Sequence, residues 1–462
     1  MQKILELSEK HFMTGLALGS HVQQGGLFVT ADGVNPFVNN FIGTTDAGLL
    51  QTSSAPTDIT GVLVDAITSF VLRVVDASTS YVYGYGNLGH VYQIDNSGDN
   101  AATDIKTIAS SALGSYLYQG KYHYATLTTI GTWDFSTTWT DAAYSGLQSY
   151  AYHPMHEFIG SLYICDKDRI SKIKGTTLIL NVLDFPSDYR ALCVNDDSRY
   201  LVIGITQNLG STTVPAKTKV LFWDATASAD SWLREWTIPD YGINSITRDE
   251  SFLYAHCPRG VYRFRIDYPP EKLFSLTTAE AIGYGYSQAA ITSYGDVHLW
   301  GGCRPIICGY GSFIQGAAKV LLKPYSGLSD NPTAILCNNR LGRMLVATAT
   351  PKLYRYNLLT GGATGLTAQT IYFNLNGKWN IRKVKITFGE KLASGDSLKL
   401  TLYSDPSTYL EWVVASYATY GAVQEIVVSG IFSAELLSIL FNFYGGNPKV
   451  RRIEFFGEPA TI

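Results

Sequence analysis

Tyr81-Val82-Tyr83-Gly84-Tyr85-Gly86-Asn87-Leu88-Gly89-His90-Val91-Tyr92-Gln93-Ile94-Asp95 decides the fold. Two runs rich in aromatic and β-branched residues flank a Gly-Asn turn, the pattern of an antiparallel hairpin. The unit recurs. Its copies read Tyr122-His123-Tyr124 with Thr132-Trp133-Asp134-Phe135, Ser161-Leu162-Tyr163 with Ile170-Ser171-Lys172-Ile173, and Tyr200-Leu201-Val202 with Leu221-Phe222-Trp223-Asp224. Three more are Phe252-Leu253-Tyr254 with Val261-Tyr262-Arg263-Phe264, Val297-His298-Leu299-Trp300 with Pro305-Ile306-Ile307, and Met344-Leu345-Val346 with Leu353-Tyr354-Arg355-Tyr356. The second strands start 38 to 51 residues apart, about 44 on average. That period is the length of a four-stranded propeller blade. The longest interval has a visible cause, a polar turn-rich insert at Gln207-Asn208-Leu209-Gly210-Ser211-Thr212-Thr213-Val214-Pro215.

The pattern changes after about residue 365. Lys383-Val384-Lys385-Ile386-Thr387-Phe388, Ser397-Leu398-Lys399-Leu400-Thr401-Leu402-Tyr403 and Arg452-Ile453-Glu454-Phe455 alternate cleanly, as strands with one wet face do. The expected fold is all-β: about seven propeller blades over residues 61–365, then an antiparallel β-sandwich over 366–462. Residues 1–60 are expected to form an N-terminal arm and a segment that closes the propeller. Helical periodicity is almost absent. The best short helix candidate is Ser433-Ala434-Glu435-Leu436-Leu437-Ser438-Ile439-Leu440, with Ser433 as its cap.

Composition fits this layout. The 462 residues include 43 Gly, 31 Tyr, 20 Phe and 8 Trp, and 16% are charged, against roughly 25% in an ordinary domain. Sheets covered on both faces leave little room for charge. A hydrophobic content of 46% excludes disorder. A formal net charge of −3 argues against sequence-specific duplex binding. No run of about 18 apolar residues occurs, so no membrane insertion is expected, and the start of the chain lacks the pattern of a signal peptide. Cys165, Cys193, Cys257, Cys303, Cys308 and Cys337 form no CxxC pair and read as free thiols made in a reducing cytoplasm.

Candidate chemistry is sparse. Gly84-Tyr85-Gly86-Asn87-Leu88-Gly89 matches GxGxxG, but a strand follows it where a nucleotide site needs a helix N-terminus. His153-Pro154-Met155-His156 is HxxH with a proline inside, ill suited to paired metal ligation on a helix. Trp133-Asp134 and Trp223-Asp224 match the WD dipeptide, but Gly89-His90 is the one Gly-His pair, so a WD40 assignment fails. Ser293-Tyr294-Gly295-Asp296-Val297-His298-Leu299-Trp300 approaches a sialidase Asp-box and misses its spacing. A glycosidase would need two carboxylates across a cleft. Asp196, Asp197, Asp249 and Glu250 are the candidates, and each also reads as a turn former. Lys167-Asp168-Arg169, Lys172 and Lys174, and Lys449-Val450-Arg451-Arg452, read as small solvated or salt-bridged clusters. No catalytic, cofactor-binding or metal-ligating residue is assigned, and no cofactor and no enzyme activity are expected.

The leader carries Asp32-Gly33-Val34-Asn35-Pro36-Phe37 and Gly48-Leu49-Leu50-Gln51. It is followed by Tyr-rich blades without catalytic motifs and by a C-terminal part reading Leu392-Ala393-Ser394-Gly395-Asp396-Ser397-Leu398-Lys399-Leu400. With these features the chain resembles β-propeller virion proteins of tailed bacteriophages. The resemblance implies a non-catalytic structural protein of the virion, made in the host cytoplasm: a tail nozzle, hub or tip component. It implies assembly with copies of itself in a ring around the DNA exit channel, contact with other tail or head–tail connector proteins, and at most weak non-specific contact with DNA. The alternative is a carbohydrate-binding or glycan-cleaving propeller, such as a receptor-binding tail protein, since sugars stack on Trp and Tyr.

Overall fold

The computed structural model describes residues 1–8, 16–17, 28–29, 56–76, 79–95, 101–109, 111–208, 216–226, 231–249, 251–275, 291–294, 297–301, 307–311, 328, 330–338, 342–357, 366–370, 373–404, 409–446 and 448–460. The chain is all-β, and among the described residues its one α-helix is the four-residue Tyr417–Tyr420. The chain divides into two compact units. One comprises Thr57–Ile306 and Leu328–Arg355, the other Met1–Pro56, Ile307–Gly327 and Tyr356–Ile462.

The first unit is a series of antiparallel meanders. Sheet I holds Ile67–Val74, Ser80–Gly86, His90–Asp95 and Thr103–Thr107. Sheet II holds Ser111–Tyr118, Lys121–Thr126, Thr129–Trp133 and Trp139–Ser145. Sheet III holds Met155–Phe158, Ser161–Asp166, Arg169–Lys174 and Thr177–Asp184. Sheet IV holds Tyr189–Asp196, Leu201–Gln207, Lys217–Trp223 and Arg234–Ile238. Sheet V holds Ser245–Arg248, Leu253–Cys257, Gly260–Arg265 and Tyr268–Ser275, and in sheet VI Ile291–Tyr294 pairs with Val297–Gly301. Sheet VII holds Pro332–Asn338, Arg343–Thr348 and Lys352–Asn357, and Thr57–Asp58 adds its fourth strand by pairing with Tyr354 and Arg355. The repeated hairpin of the sequence is therefore the middle pair of sheets I to V and VII, while Pro305 and Ile306 of the sixth copy lie outside the described residues.

The first strands touch one another in chain order from sheet I to sheet VII, and Pro332–Asn338 of sheet VII also touches Ile67–Val74 of sheet I. The cores lie between consecutive sheets. Leu201, Ile203 and Leu221 of sheet IV pack with Cys165 and Ile170 of sheet III. Val202, Val220 and Phe222 of the same sheet pack with Ala255 and Tyr262 of sheet V. Alternate residues of one strand thus serve two cores, so both faces must be apolar. Tyrosine suits this arrangement, because its ring fills a core while its hydroxyl reaches a partner at the edge. Tyr85 donates to the Ala125 carbonyl (2.6 Å) and Tyr118 to the Gly160 carbonyl (2.8 Å), each pinning its sheet to the next.

Aspartates ahead of the first strands hold the turns between second and third strands. Buried Asp65 accepts from the Leu88 N–H (2.7 Å) and from the Tyr92 hydroxyl (2.5 Å). Asp240 accepts from the Arg259 N–H (3.3 Å), and Asp330 from the Thr350 N–H (3.0 Å).

The second unit is built from longer strands. Phe373–Phe388 lies between Val450–Pro459 and the first half of Glu425–Gly445, and Gln2–Ser8 pairs on the far side of Val450–Pro459. The second half of Glu425–Gly445 pairs instead with Ser397–Tyr403 and Leu366–Thr370. This strand runs through the expected helix at Ser433–Leu440, so that expectation is corrected. Ala434 faces Trp379 and Leu437 faces Phe373 across the ladder, and at Ser438 the partner becomes Tyr403. Pairing first with Phe373–Phe388 and then with Ser397–Tyr403 outweighs the helix propensity of Glu-Leu-Leu.

Candidate functional site

The turns joining first to second strands in sheets IV and V border a cleft of about 890 Å³. Asp197, Arg199, Tyr200, Arg248, Asp249 and Phe252 line it, with Arg265, Asp267 and His298. Sequence reasoning named Asp197 and Asp249, and the fold brings them to this cleft. Asp196 sits beside it, and Glu250 lies outside the described residues.

These carboxylates are engaged in holding turns. Asp197 Oδ1 accepts from the N–H groups of Arg199 (3.0 Å) and Tyr200 (2.7 Å). Asp249 Oδ1 accepts from those of Ser251 and Phe252 (both 2.7 Å), and its Oδ2 from the Tyr254 hydroxyl (2.6 Å). Both are side-chain turns in which Asp mimics a backbone carbonyl. Asp134 and Asp224, the acids of the two Trp-Asp pairs, repeat the device with the N–H groups of Ser136 (3.0 Å) and Thr226 (2.9 Å).

Asp196 does something different. His156 Nε2 donates to its Oδ2 (2.7 Å), the Ser198 N–H to its Oδ1 (2.7 Å), and Arg248 Nη1 to the same Oδ1. His156 belongs to sheet III, Asp196 to sheet IV and Arg248 to sheet V, so one carboxylate ties three consecutive first strands. Burial pushes the Asp196 carboxyl up, but the bonds from His156 and Ser198 and the nearby Arg248 guanidinium outweigh it and hold the group below the usual range. Sequence reasoning missed His156 and Arg248 as partners of Asp196, because they stand 40 and 52 residues away from it in the chain.

The HxxH histidines separate. His153 is buried, with Nδ1 2.9 Å from the Cys165 carbonyl and Nε2 3.3 Å from the Leu127 carbonyl, whereas His156 turns to Asp196. Among the described residues no group of three His, Cys, Asp or Glu side chains converges as a metal site. The GxGxxG run is a hairpin: Ser80–Gly86 ends it on one side and His90–Asp95 on the other. Gly89 sits at φ +96°, where a Cβ would lie 2.2 Å from the Ile108 carbonyl oxygen, so glycine serves the turn there. In the Asp-box-like run Ser293 pairs opposite His298, and Asp296 lies outside the described residues. The basic clusters are ion-paired: Arg169 to Asp166 (2.7 Å), Lys449 to Glu390 (2.8 Å) and Arg452 to Glu6 (3.7 Å). Cys165, Cys193, Cys257 and Cys337 are free and buried, and burial pushes their thiols up, away from the reactive thiolate.

A smaller cavity of about 230 Å³ lies among the first strands. Ser69, Gly114, Met155, Thr292 and Leu336, from five different sheets, are among its lining residues.

No family model and no curated protein matches the chain. Among solved structures, the crystal structure of the computationally designed Ika8 protein is similar to it at 12% identity and a TM-score of 0.43, over 65% of this chain and 100% of that one.

Proposed function

We propose that this chain is a non-catalytic structural protein of a tailed-phage virion, a nozzle, hub or tip component of the tail, built on a closed seven-bladed propeller followed by a β-sandwich. The observation that carries the propeller reading is the succession of first strands, each touching the next, with the seventh sheet back against the first. Side-chain bonds reinforce it. Thr333 Oγ1 donates to the Ile67 carbonyl (2.6 Å), the hydroxyls of Ser69 and Ser115 lie 2.6 Å apart, and Asn195 Nδ2 donates to the Ile246 carbonyl (2.7 Å). Thr57–Asp58 would close the ring by completing the last blade with a strand from before the first. The bend of Glu425–Gly445 from one set of partners to another is what a sandwich needs where a strand passes between its layers.

The structural role rests on how the polar side chains are spent. Asp197 and Asp249 of the cleft hold turns, Asp196 beside it joins first strands, and Cys165, Cys193, Cys257 and Cys337 are buried. The space among the first strands, about 230 Å³, is below the ~300–1,000 Å³ of a small-molecule site and too small for a nucleic-acid duplex. A DNA path would therefore run between copies arranged in a ring, and other tail or connector proteins would complete it. Peptide mass spectrometry and electron microscopy of purified virions test the proposal. The chain should appear in intact particles as a symmetric ring in the tail. Its absence from them would sink the proposal.

A further inference from the structure

We infer that the cleft of about 890 Å³ between sheets IV and V is a binding site for a neutral saccharide. Its size falls within the ~300–1,000 Å³ typical of small-molecule sites. The inference stands apart from the virion reading and holds whatever the chain assembles into.

The charge of the lining selects the ligand class. Arg199, Arg248 and Arg265 are matched by Asp197, Asp249 and Asp267. A polyanion entering the cleft would meet three carboxylates, and a polycation three guanidinium groups. Two of the arginines are already engaged, Arg248 with Asp196 and Arg265 with Asp267 (3.0 Å). Arg199 is exposed and, among the described residues, has no ion-pair partner. Asp197 is fixed through Oδ1 by two backbone N–H groups, which leaves its Oδ2 as an acceptor held in place. An acceptor that cannot rotate away and a flexible donor two residues on suit a sugar hydroxyl, which donates and accepts at once.

The apolar part of such a site is present too. Phe252 and Tyr200 are half-buried in the lining. Phe252 is steadied by Arg263 and Arg265, whose guanidinium carbons lie 4.5 and 5.0 Å from its ring centre, and by Tyr268 edge-on at 5.7 Å. Tyr200 is anchored against the core between sheets IV and V. A ring fixed before binding loses little entropy when a sugar's C–H face rests on it, and that ring is Tyr200, since the guanidinium groups of Arg263 and Arg265 already lie over Phe252.

The test uses the full chain. Neutral gluco-, galacto- and manno-oligosaccharides, with sialylated and sulfated counterparts, are screened by saturation-transfer NMR and followed by calorimetry. At least one neutral saccharide should bind. Arg199→Ala and Asp197→Asn should each weaken it about tenfold or more, which is about 1.4 kcal/mol. Asn keeps the Oδ1 acceptor, so the turn is retained, and Arg199→Ala removes only an exposed side chain and serves as the second variant if Asp197→Asn does not fold. Binding by none of the neutral sugars, binding confined to the acidic ones, or unchanged affinity in a folded variant would each overturn the inference.

Discussion

Leu201–Gln207 in sheet IV and Glu425–Gly445 in the second unit are both central strands, yet they bury their side chains on different plans. Five consecutive residues of the first, Leu201 to Ile205, are buried. The second alternates over most of its length: Phe432, Ala434, Phe441 and Phe443 are buried, while Val427, Ile431, Leu436 and Tyr444 are more than a third exposed. A stacked sheet is covered twice and a layer with one wet face is covered once. Coverage, more than strand propensity, decides how many apolar residues a strand needs.

Neighbouring residues break or sharpen this contrast. Leu221 and Phe222 are adjacent and fully buried, Leu221 toward sheet III and Phe222 toward sheet V. Phe222→Ala should cost about 3–5 kcal/mol and Leu221→Ala about 2–5. In Glu425–Gly445 the adjacent pair is Leu436, 42% exposed, and Leu437, 0% exposed. There Leu437→Ala should cost about 2–5 kcal/mol, and Leu436→Ala no more than about 0.5. Urea unfolding of the four variants checks it. Two equal costs in the second pair, or one negligible cost in the first, would remove the distinction.

The next effect belongs to the polar ends of the stacked sheets. Asp196→Ala leaves His156 Nε2 without its carboxylate and removes the anion facing Arg248, which is 42% exposed and so partly rescued by water. The expected loss is about 2 kcal/mol at neutral pH. Because the folded pKa of Asp196 lies below the ordinary 3.8, this stabilisation is present above that value and fades as the pH falls through the folded pKa. Wild type and variant should therefore converge in acid, and a gap that stays constant down to pH 2 would assign the loss to packing.

The sequence made the middle hairpins legible for the same reason that they are stable. Tyr122-His123-Tyr124 and Ser161-Leu162-Tyr163 are covered on both faces, so every residue in them is buried and none is Asp, Glu, Lys or Arg. The fourth strands did not stand out. Thr177–Asp184 and Trp139–Ser145 are largely exposed, and an uncovered strand is free to take almost any residue. First strands escaped because their partners are remote, as with Thr333 and Ile67, 266 residues apart. Of the cleft, Asp197 and Asp249 were readable as turn acids. Nothing local marks Arg199 or Phe252, since the arrangement depends on two turns from different sheets meeting in space. Ser433–Leu440 misled because a short segment carries its own propensity but no record of the strands on either side of it.

The smallest predicted effect concerns the strand that completes sheet VII. Lys352 Nζ donates to Asp58 Oδ2 (2.8 Å), and with the Thr60 hydroxyl and N–H it lowers the Asp58 carboxyl to about 2. The carboxylate is 44% exposed, so solvent screens the pair and Asp58→Asn should cost about 0.5–1 kcal/mol at neutral pH. The cost should shrink between the ordinary carboxylate pKa of 3.8 and about 2, and in strong salt. Two further bonds hold the same junction, the Ile59 N–H donating to the Leu353 carbonyl (2.8 Å) and the Leu353 N–H to the Thr60 side-chain hydroxyl (3.1 Å). A double-mutant cycle with Lys352→Ala separates the two contributions. A coupling of about 0.5 kcal/mol or more would give the ion pair a share in holding together residues 294 apart in the chain. A coupling of zero would leave that junction to the backbone bond between Ile59 and Leu353.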